Sequence, residues 1–373
     1  MNSVYDYLIV GSGLFGAVFA RQMTDAGRKC LVIESRNHIG GNVYSEKIEG
    51  IEVHTYGPHI FHTDSEEIWK YVNRFAKFNT FVYRPKVNYK GRIFSFPVNL
   101  MTLYQLWGVK NPEDARKKLE SAKREISNPQ NLEEYVLSIV GEEIYETFVK
   151  GYTAKQWQRD PKELPADIIK RLPIRLTFDD NYYFDRYQGC PIGGYTSMML
   201  NILAGIDVRT GIDYFEDRGY WNSVAKKIIF TGMLDRFYDH RFGELQYRSL
   251  KFEHESLNGD FQGNASFNYT DASVPFTRII EHKHFEPENL IKNANHTIIT
   301  REYPKEYVKG DVPYYPINDF RNNRMYSIYK EMASLEKRFI FGGRLSEYKY
   351  YDMHQVIGSA LSKSRRELQN EEK

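Results

Sequence analysis

Apolar residues recur with two different periods along this chain, and the changes of period mark its organisation. Tyr7 and the run Leu8-Ile-Val10 are continuously apolar, as a strand covered on both faces requires, and they lead directly into Gly11, Gly13 and Gly16. A helix-like stretch follows to Ala26-Gly27, and a second apolar run, Cys30-Leu-Val-Ile33, delivers Glu34. The segment Phe81–Phe94 holds two short runs about Lys90-Gly91 and predicts a hairpin. From Leu100 to Tyr152 the spacing turns helical. Leu132, Val136, Val140, Ile144 and Phe148 share one face, and Pro112 with Glu113-Asp114 suits a first turn. Gly193-Gly194 opens another helix, and Ile206–Thr210 and Lys227–Gly232 predict strands. Residues 245–305 predict mostly strands, at Tyr247–Glu255, Gly263–Tyr269, Phe276–His282 and Thr297–Tyr303. Phe339–Gly343 reads as a strand ending on glycines, with a helix from Met353. No internal repeat or low-complexity segment is present.

The strand–glycine–helix–strand–acid order at the start carries a chemistry. Gly11 permits a tight turn, Gly13 lets a pyrophosphate approach the backbone, and Gly16 lets helix and strand pack closely. The helix N-terminus offers free N–H groups to phosphates, and Glu34 can accept hydrogen bonds from a ribose diol. Just beyond it, Arg36 with Gly40-Gly41 fits the R-x-x-x-G-G stretch that passes beside FAD in glutathione-reductase-like flavoproteins. No second G-x-G-x-x-G exists for a separate NAD(P) domain, so the expectation is one FAD and no built-in reductase.

The predicted fold class is therefore α/β, multidomain: a Rossmann-like FAD-binding domain with a helical insertion and an antiparallel-sheet domain. The FAD domain is expected to be discontinuous, from residues 1–80, 190–244 and 330–373. Residues 98–165 form the helical domain, with a mobile substrate loop at 166–188. Residues 81–97 and 245–329 form the sheet domain. Ligands are expected in the cleft between them.

Composition narrows the partners. With 373 residues and a net charge of +2, the chain lacks the basic excess that phosphate-driven nucleic-acid binding needs. Its 29 Tyr and 23 Phe serve either packing or a phenol-lined cleft for a sugar nucleotide. Two cysteines, Cys30 and Cys190, are expected as buried thiols in a reducing compartment. With a strand expected within the first few residues, no signal peptide is expected, and no run approaches the ~20 apolar residues of a membrane span. A cytoplasmic protein with a frayed, charged tail is expected.

Four stretches gather polar and aromatic groups. In Tyr56-Gly-Pro-His59-Ile-Phe-His62-Thr63, two histidines lie three apart, but no carboxylate or cysteine cluster joins them in sequence. A flavin-facing turn with His59 hydrogen-bonded is expected there, and no metal. Gly151-Tyr152-Thr-Ala-Lys-Gln-Trp157 places an aromatic pair beside a lysine, as a ligand wall or as corner packing. Arg171, Arg175 and the phenols from Tyr182 to Tyr187 suit a clamp on a diphosphate, because the guanidinium fork binds phosphate oxygens bidentately. Arg278 interrupts an apolar run, so it must face solvent, a carboxylate or an anionic ligand.

With these stretches in view, the chain resembles the bacterial UDP-galactopyranose mutases nearly end to end. The motifs that carry the resemblance are the Gly11–Gly16 fingerprint, His38-Ile-Gly-Gly-Asn42, the Tyr56–Thr63 stretch, Lys150–Trp157, Leu172-Pro-Ile-Arg175, Phe276-Thr-Arg278, Pro313-Tyr-Tyr-Pro-Ile317, Gly342-Gly-Arg-Leu345 and Tyr348–Met353. The resemblance implies a flavin-dependent isomerase that interconverts UDP-galactopyranose and UDP-galactofuranose without net redox, for surface polysaccharide synthesis. It implies reduced FAD whose N5 attacks the anomeric carbon and expels UDP, an external reductant such as NAD(P)H, and a homodimer. It also implies site roles. Arg175 and Arg278 meet the diphosphate, with the phenols of Tyr315 and Tyr350. Tyr152, Trp157 and Tyr187 form the uridine pocket, and Arg248 and Asn268 approach the sugar. FAD contacts are implied at Gly11, Gly13, Phe15, Gly16, Glu34, Ser35, Gly41, Asn42, His59, Ile60, Arg344, Asp352 and Met353, with the His59 loop beside the reactive flavin edge. Tyr83-Arg84 stands where many members carry an Asn-containing segment near the sugar, which leaves open tolerance of a 2-acetamido group. The other readings are an amine-oxidase-like flavin oxidoreductase and a non-catalytic nucleotide-sugar sensor.

Overall fold

The computed structural model describes residues 4–166, 174–286 and 295–371. The first apolar run forms strand Tyr5–Val10 at the centre of a five-stranded parallel sheet. Ala225–Phe230 and then Phe339–Phe341 lie on one side of it; Cys30–Ile33 and then Asp207–Arg209 lie on the other. Start, middle and end of the chain thus meet in one sheet. Helices Leu14–Asp25, Gly194–Ile202 and Met353–Glu371 cover one face through Phe19, Met23, Met199 and Ile357. The other face buries an aromatic cluster including Tyr214, Trp221, Phe230, Phe237, Tyr329 and Tyr348. Much of the unusual Tyr and Phe content is therefore core.

A second sheet has seven strands, in the order Tyr315–Pro316, Tyr247–Asn258, His296–Glu306, Arg278–Glu281, Ser266–Tyr269, Lys86–Tyr89 and Arg92–Ser95. It is mixed rather than purely antiparallel, because Ser266–Tyr269 runs parallel to Lys86–Tyr89. The predicted hairpin is present, with Lys90 and Gly91 at positive φ in its turn. The helical segment comprises Leu100–Trp107, Pro112–Ala122 and Leu132–Val140, capped by Asn99, Asn111 and Asn131, whose side chains accept backbone N–H groups. A π-helical stretch, Tyr145–Lys150, leads into helix Gly151–Trp157.

Three further features differ from the sequence expectation. The hairpin Ser45–Ile48 with Ile51–His54 was not anticipated, because its strands are short and mostly polar at one end. Tyr187–Gly189 is a strand paired with Phe61–Thr63, so the expected mobile loop is anchored at its C-terminal end. Helix Phe320–Leu335 spans the expected domain boundary at 329/330, and its Tyr329 is buried in the aromatic core beside the parallel sheet. The helix belongs with that sheet. Arg171, Leu172 and Pro173 lie outside the described residues.

Candidate active site

The glycine turn has the expected geometry. Gly11 has φ of +105°, and its N–H donates to Ile33 O at 2.8 Å. A Cβ on Gly16 would stand 2.0 Å from Gly11 O, so helix and turn can approach this closely only with glycine there. Gly13 caps the helix, with open space where a Cβ would project. Glu34 is buried, and its Oε2 accepts from Ser12 N–H and Oγ at 2.9 and 2.8 Å. Oε1 accepts from Arg36 N–H at 3.0 Å. Arg36 is held in turn by Asn42 Oδ1 at 2.8 Å and lies 4.5 Å over the Tyr56 ring. One nitrogen of Arg36 and Nε of Arg344 are buried without a partner among the described residues. Open space at Gly13 and unpartnered guanidinium donors fit a dinucleotide diphosphate.

The turn opens onto a cavity of 2520 Å³. Every position expected at the cofactor lines it, from Gly11 to Met353, and so do Tyr152, Trp157, Arg248, Asn268, Arg278, Tyr315 and Tyr350. In the cleft, strand pairing sets Asn268, Arg278 and Glu302 side by side across three strands. Arg278 Nε donates to Asn268 Oδ1 at 3.1 Å, Nη2 donates to Tyr152 OH at 3.3 Å, and Nη1 lies 3.8 Å from Glu302. Burial opposes the charge on Arg278, but Glu302 and the surrounding phenols outweigh it and hold the proton. Of the readings open in sequence, the partner within the protein is a carboxylate. Glu302 was missed there, and its signal was the strand's alternation, which puts Thr300 and Glu302 on one face.

The His59 turn closes another wall. His59 Nδ1 lies 2.8 Å from Gly57 O, so this nitrogen carries the proton and Nε2 is left as an acceptor. The His59 backbone N–H donates to His54 Nδ1 at 3.1 Å. Burial pulls His59 down to about 4 and His54 to about 3, so both rings are neutral at pH 7. Tyr315 and Tyr350 stack at 5.4 Å, with the Arg344 guanidinium over both rings. Tyr83, Tyr182 and Tyr183 also line the cavity; Tyr182 and Tyr183 come from the stretch expected to clamp a diphosphate. Tyr83 donates to Ser266 Oγ at 3.2 Å.

Two expected residues do not join the rest. Arg175 is folded back on its own segment, donating to the carbonyls of Asp179, Asn181 and Tyr182, with its guanidinium 3.9 Å above the Phe184 ring. It does not line the cavity. Tyr187 also lies off the cavity; its strand turns the ring onto Trp69, stacked at 5.1 Å. His62 Nδ1 bonds Asp185 at 2.9 Å, and its ring stacks on Tyr183. Contrary to the sequence reading, carboxylates do join His62. It brings one ligand-type atom within 4.8 Å of those of Asp352 and His354.

Fold and site together define a dinucleotide-binding protein whose cavity continues into an arginine- and phenol-lined cleft. The family profile described as UDP-galactopyranose mutase matches residues 147–350, and an NAD(P)-binding Rossmann-like domain matches residues 9–75. A dTDP-fucopyranose mutase of Escherichia coli is 41% identical over 371 residues, covering 97% of each chain. A probable UDP-galactopyranose mutase of Klebsiella pneumoniae is 41% identical over 360 residues, covering 95% of this chain and 92% of the relative. The chain belongs to the UDP-galactopyranose mutase family. A crystal structure of reduced UDP-galactopyranose mutase shares the fold at TM-score 0.76 and 15% identity, covering 98% of this chain and 94% of that one. A putrescine oxidase shares it at 0.57 and 11%, covering 98% and 99%.

Proposed function

We propose that this protein binds FAD and, with the flavin reduced, interconverts UDP-galactopyranose and UDP-galactofuranose. The observation that carries the reading is Arg278, fixed by Asn268, Tyr152 and Glu302 where the cofactor cavity opens into the cleft. Reduced FAD, when bound, supplies the nucleophile for the anomeric carbon. The chain's own residues do the rest. Arg278, with the phenols of Tyr315 and Tyr350, takes up charge as the diphosphate leaves and returns. His59, neutral and fixed at Nδ1, offers an acceptor nitrogen at the cavity wall without adding a second positive charge. Arg175 must leave Phe184 and its loop carbonyls to reach a diphosphate, so its part is conditional on movement of that segment. Electrons come from an external donor such as NAD(P)H. Among the described residues, no helix is long and apolar enough to cross a membrane.

A second reading has an observation in its favour. The dTDP-fucopyranose mutase matches at the same 41% identity as the probable UDP-galactopyranose mutase, and over more of the chain. One assay separates the two. Dithionite-reduced enzyme is given UDP-galactofuranose, dTDP-fucofuranose or UDP-N-acetylgalactosamine, and the products are resolved chromatographically. The expected result is conversion of UDP-galactofuranose by reduced enzyme and none by oxidised enzyme. Equal rates in both redox states would reject flavin nucleophilic catalysis; turnover of the dTDP sugar alone would establish the second reading.

A further inference from the structure

Two walls of the cleft come from separate parts of the chain. Helix Gly151–Trp157 carries Tyr152 and Trp157, while the strands holding Asn268 and Arg278 are joined by the turn 270–277. One ammonium ties these walls together. Lys155 Nζ donates to the carbonyls of Tyr269, Asp271 and Phe276 at 2.7, 2.8 and 2.9 Å. An ammonium has three donors and no acceptor, so its hydrogen-bonding capacity is filled by this one turn. Lys155 does not itself line the cavity. The helix also sits hard against the turn. A Cβ on Gly151 would stand 2.2 Å from Thr270 O, and Thr270 Oγ1 donates to Thr147 O at 2.6 Å. The connection closes on the far side, where Arg278 Nη2 donates to Tyr152 OH, one helical turn before Lys155.

We propose that Lys155 is a positioning residue for the diphosphate-binding arginine: closed on three turn carbonyls, its ammonium fixes helix Gly151–Trp157 against the strand that carries Arg278. The proposal rests on the nucleotide-sugar reading for the ligand. Burial pulls the Lys155 ammonium down to about 8, against the attraction of the Asp271 carboxylate, and it stays charged at neutral pH. Without the ammonium, three carbonyls lose their donor and the turn shifts to recover hydrogen bonds from water. Arg278, held at one end by Asn268 and at another by Tyr152, then loses a fixed position. Displacements of this kind far from the reacting atoms are costly, up to about a hundredfold per ångström.

The test is the dissociation constant of UDP for the FAD-loaded enzyme, by calorimetry, beside KM, kcat and melting temperature. Lys155→Met should retain flavin and weaken UDP by about tenfold or more, with KM rising more than kcat falls, the pattern of lost binding. Lys155→Arg should recover part of the affinity. Ser273→Pro removes the N–H that donates to Asp271 Oδ1 at 2.9 Å and leaves both the carbonyl cage and the Asp271 carboxylate. It should lower the melting temperature without weakening UDP. An unchanged UDP constant in flavin-loaded Lys155→Met, or equal weakening by Ser273→Pro, would overturn the proposal. Collapse of Lys155→Met to flavin-free protein would overturn it as well, because a purely structural role would then suffice. Wild-type enzyme that binds no UDP would instead reject the nucleotide-sugar reading.

Discussion

Arg278 uses its three nitrogens on three different partners, and that is what makes it hard to replace. Asn268, Tyr152 and Glu302 hold the guanidinium by geometry that a lysine point charge cannot reproduce. Arg278→Ala should lower kcat of the reduced enzyme by roughly a hundredfold or more, the scale of losing one preorganised charge-stabilising group. Arg278→Lys should recover little of it. Steady-state rates check both, and a near-normal kcat in Arg278→Ala would mean the diphosphate is held elsewhere. His54 makes a different prediction. Its folded pKa is about 3, against about 6.5 in the unfolded chain. The unfolded state therefore takes up the proton first, so the stability His54 contributes is whole above about pH 6.5 and drains as pH falls toward its folded value. His54→Asn keeps an acceptor for His59 N–H but cannot titrate. Its melting temperature should fall less than the wild type's between pH 7 and 5. Equal slopes would show that other groups, such as His59, carry the dependence.

At the scale of elements, the glycine turn and the first helix stand or fall together. Gly16→Ala would bring a methyl to 2.0 Å from Gly11 O, which forces helix Leu14–Asp25 away from the turn. The expected outcome is folded protein with little bound flavin, read from the ratio of visible to ultraviolet absorbance after reconstitution. Full flavin content would mean the turn tolerates the shift. This element was legible in sequence because its requirements are local: continuous apolar strands, glycines at fixed offsets and an acid after the second strand. The helical segment was legible for the same reason, through its apolar spacing and the first turn at Pro112 with Glu113-Asp114. Tyr187 shows where local reasoning ends. Its position in a loop rich in phenols suggested a ligand contact, but pairing of its strand with Phe61–Thr63 decides which way the ring points. The helix Phe320–Leu335 was missed because its apolar stripe is weak; Asp319, which caps it through Asn322 N–H, was the available signal.

Across the whole molecule, a dinucleotide sheet and a seven-stranded sheet share one cavity, and the fold is shared with a putrescine oxidase. Architecture therefore leaves the reaction open, and the cleft chemistry must decide it. An arginine held by Glu302 suits an anionic diphosphate and repels an ammonium substrate, so a panel of primary amines and polyamines should yield no hydrogen peroxide. Sustained peroxide release with any of them would favour the oxidase reading. What the sequence alone determined was the dinucleotide turn with its flanking strands, the helical segment, and the residue types of a diphosphate site, because each follows from patterns within a few residues. Tertiary structure alone decided that Glu302 faces Arg278, that Lys155 ties helix to turn, and that Tyr187 lies off the cavity. Those facts depend on sheet register or on chain segments more than a hundred residues apart, which no local pattern encodes. Arg175 is turned back by the carbonyls of its own loop.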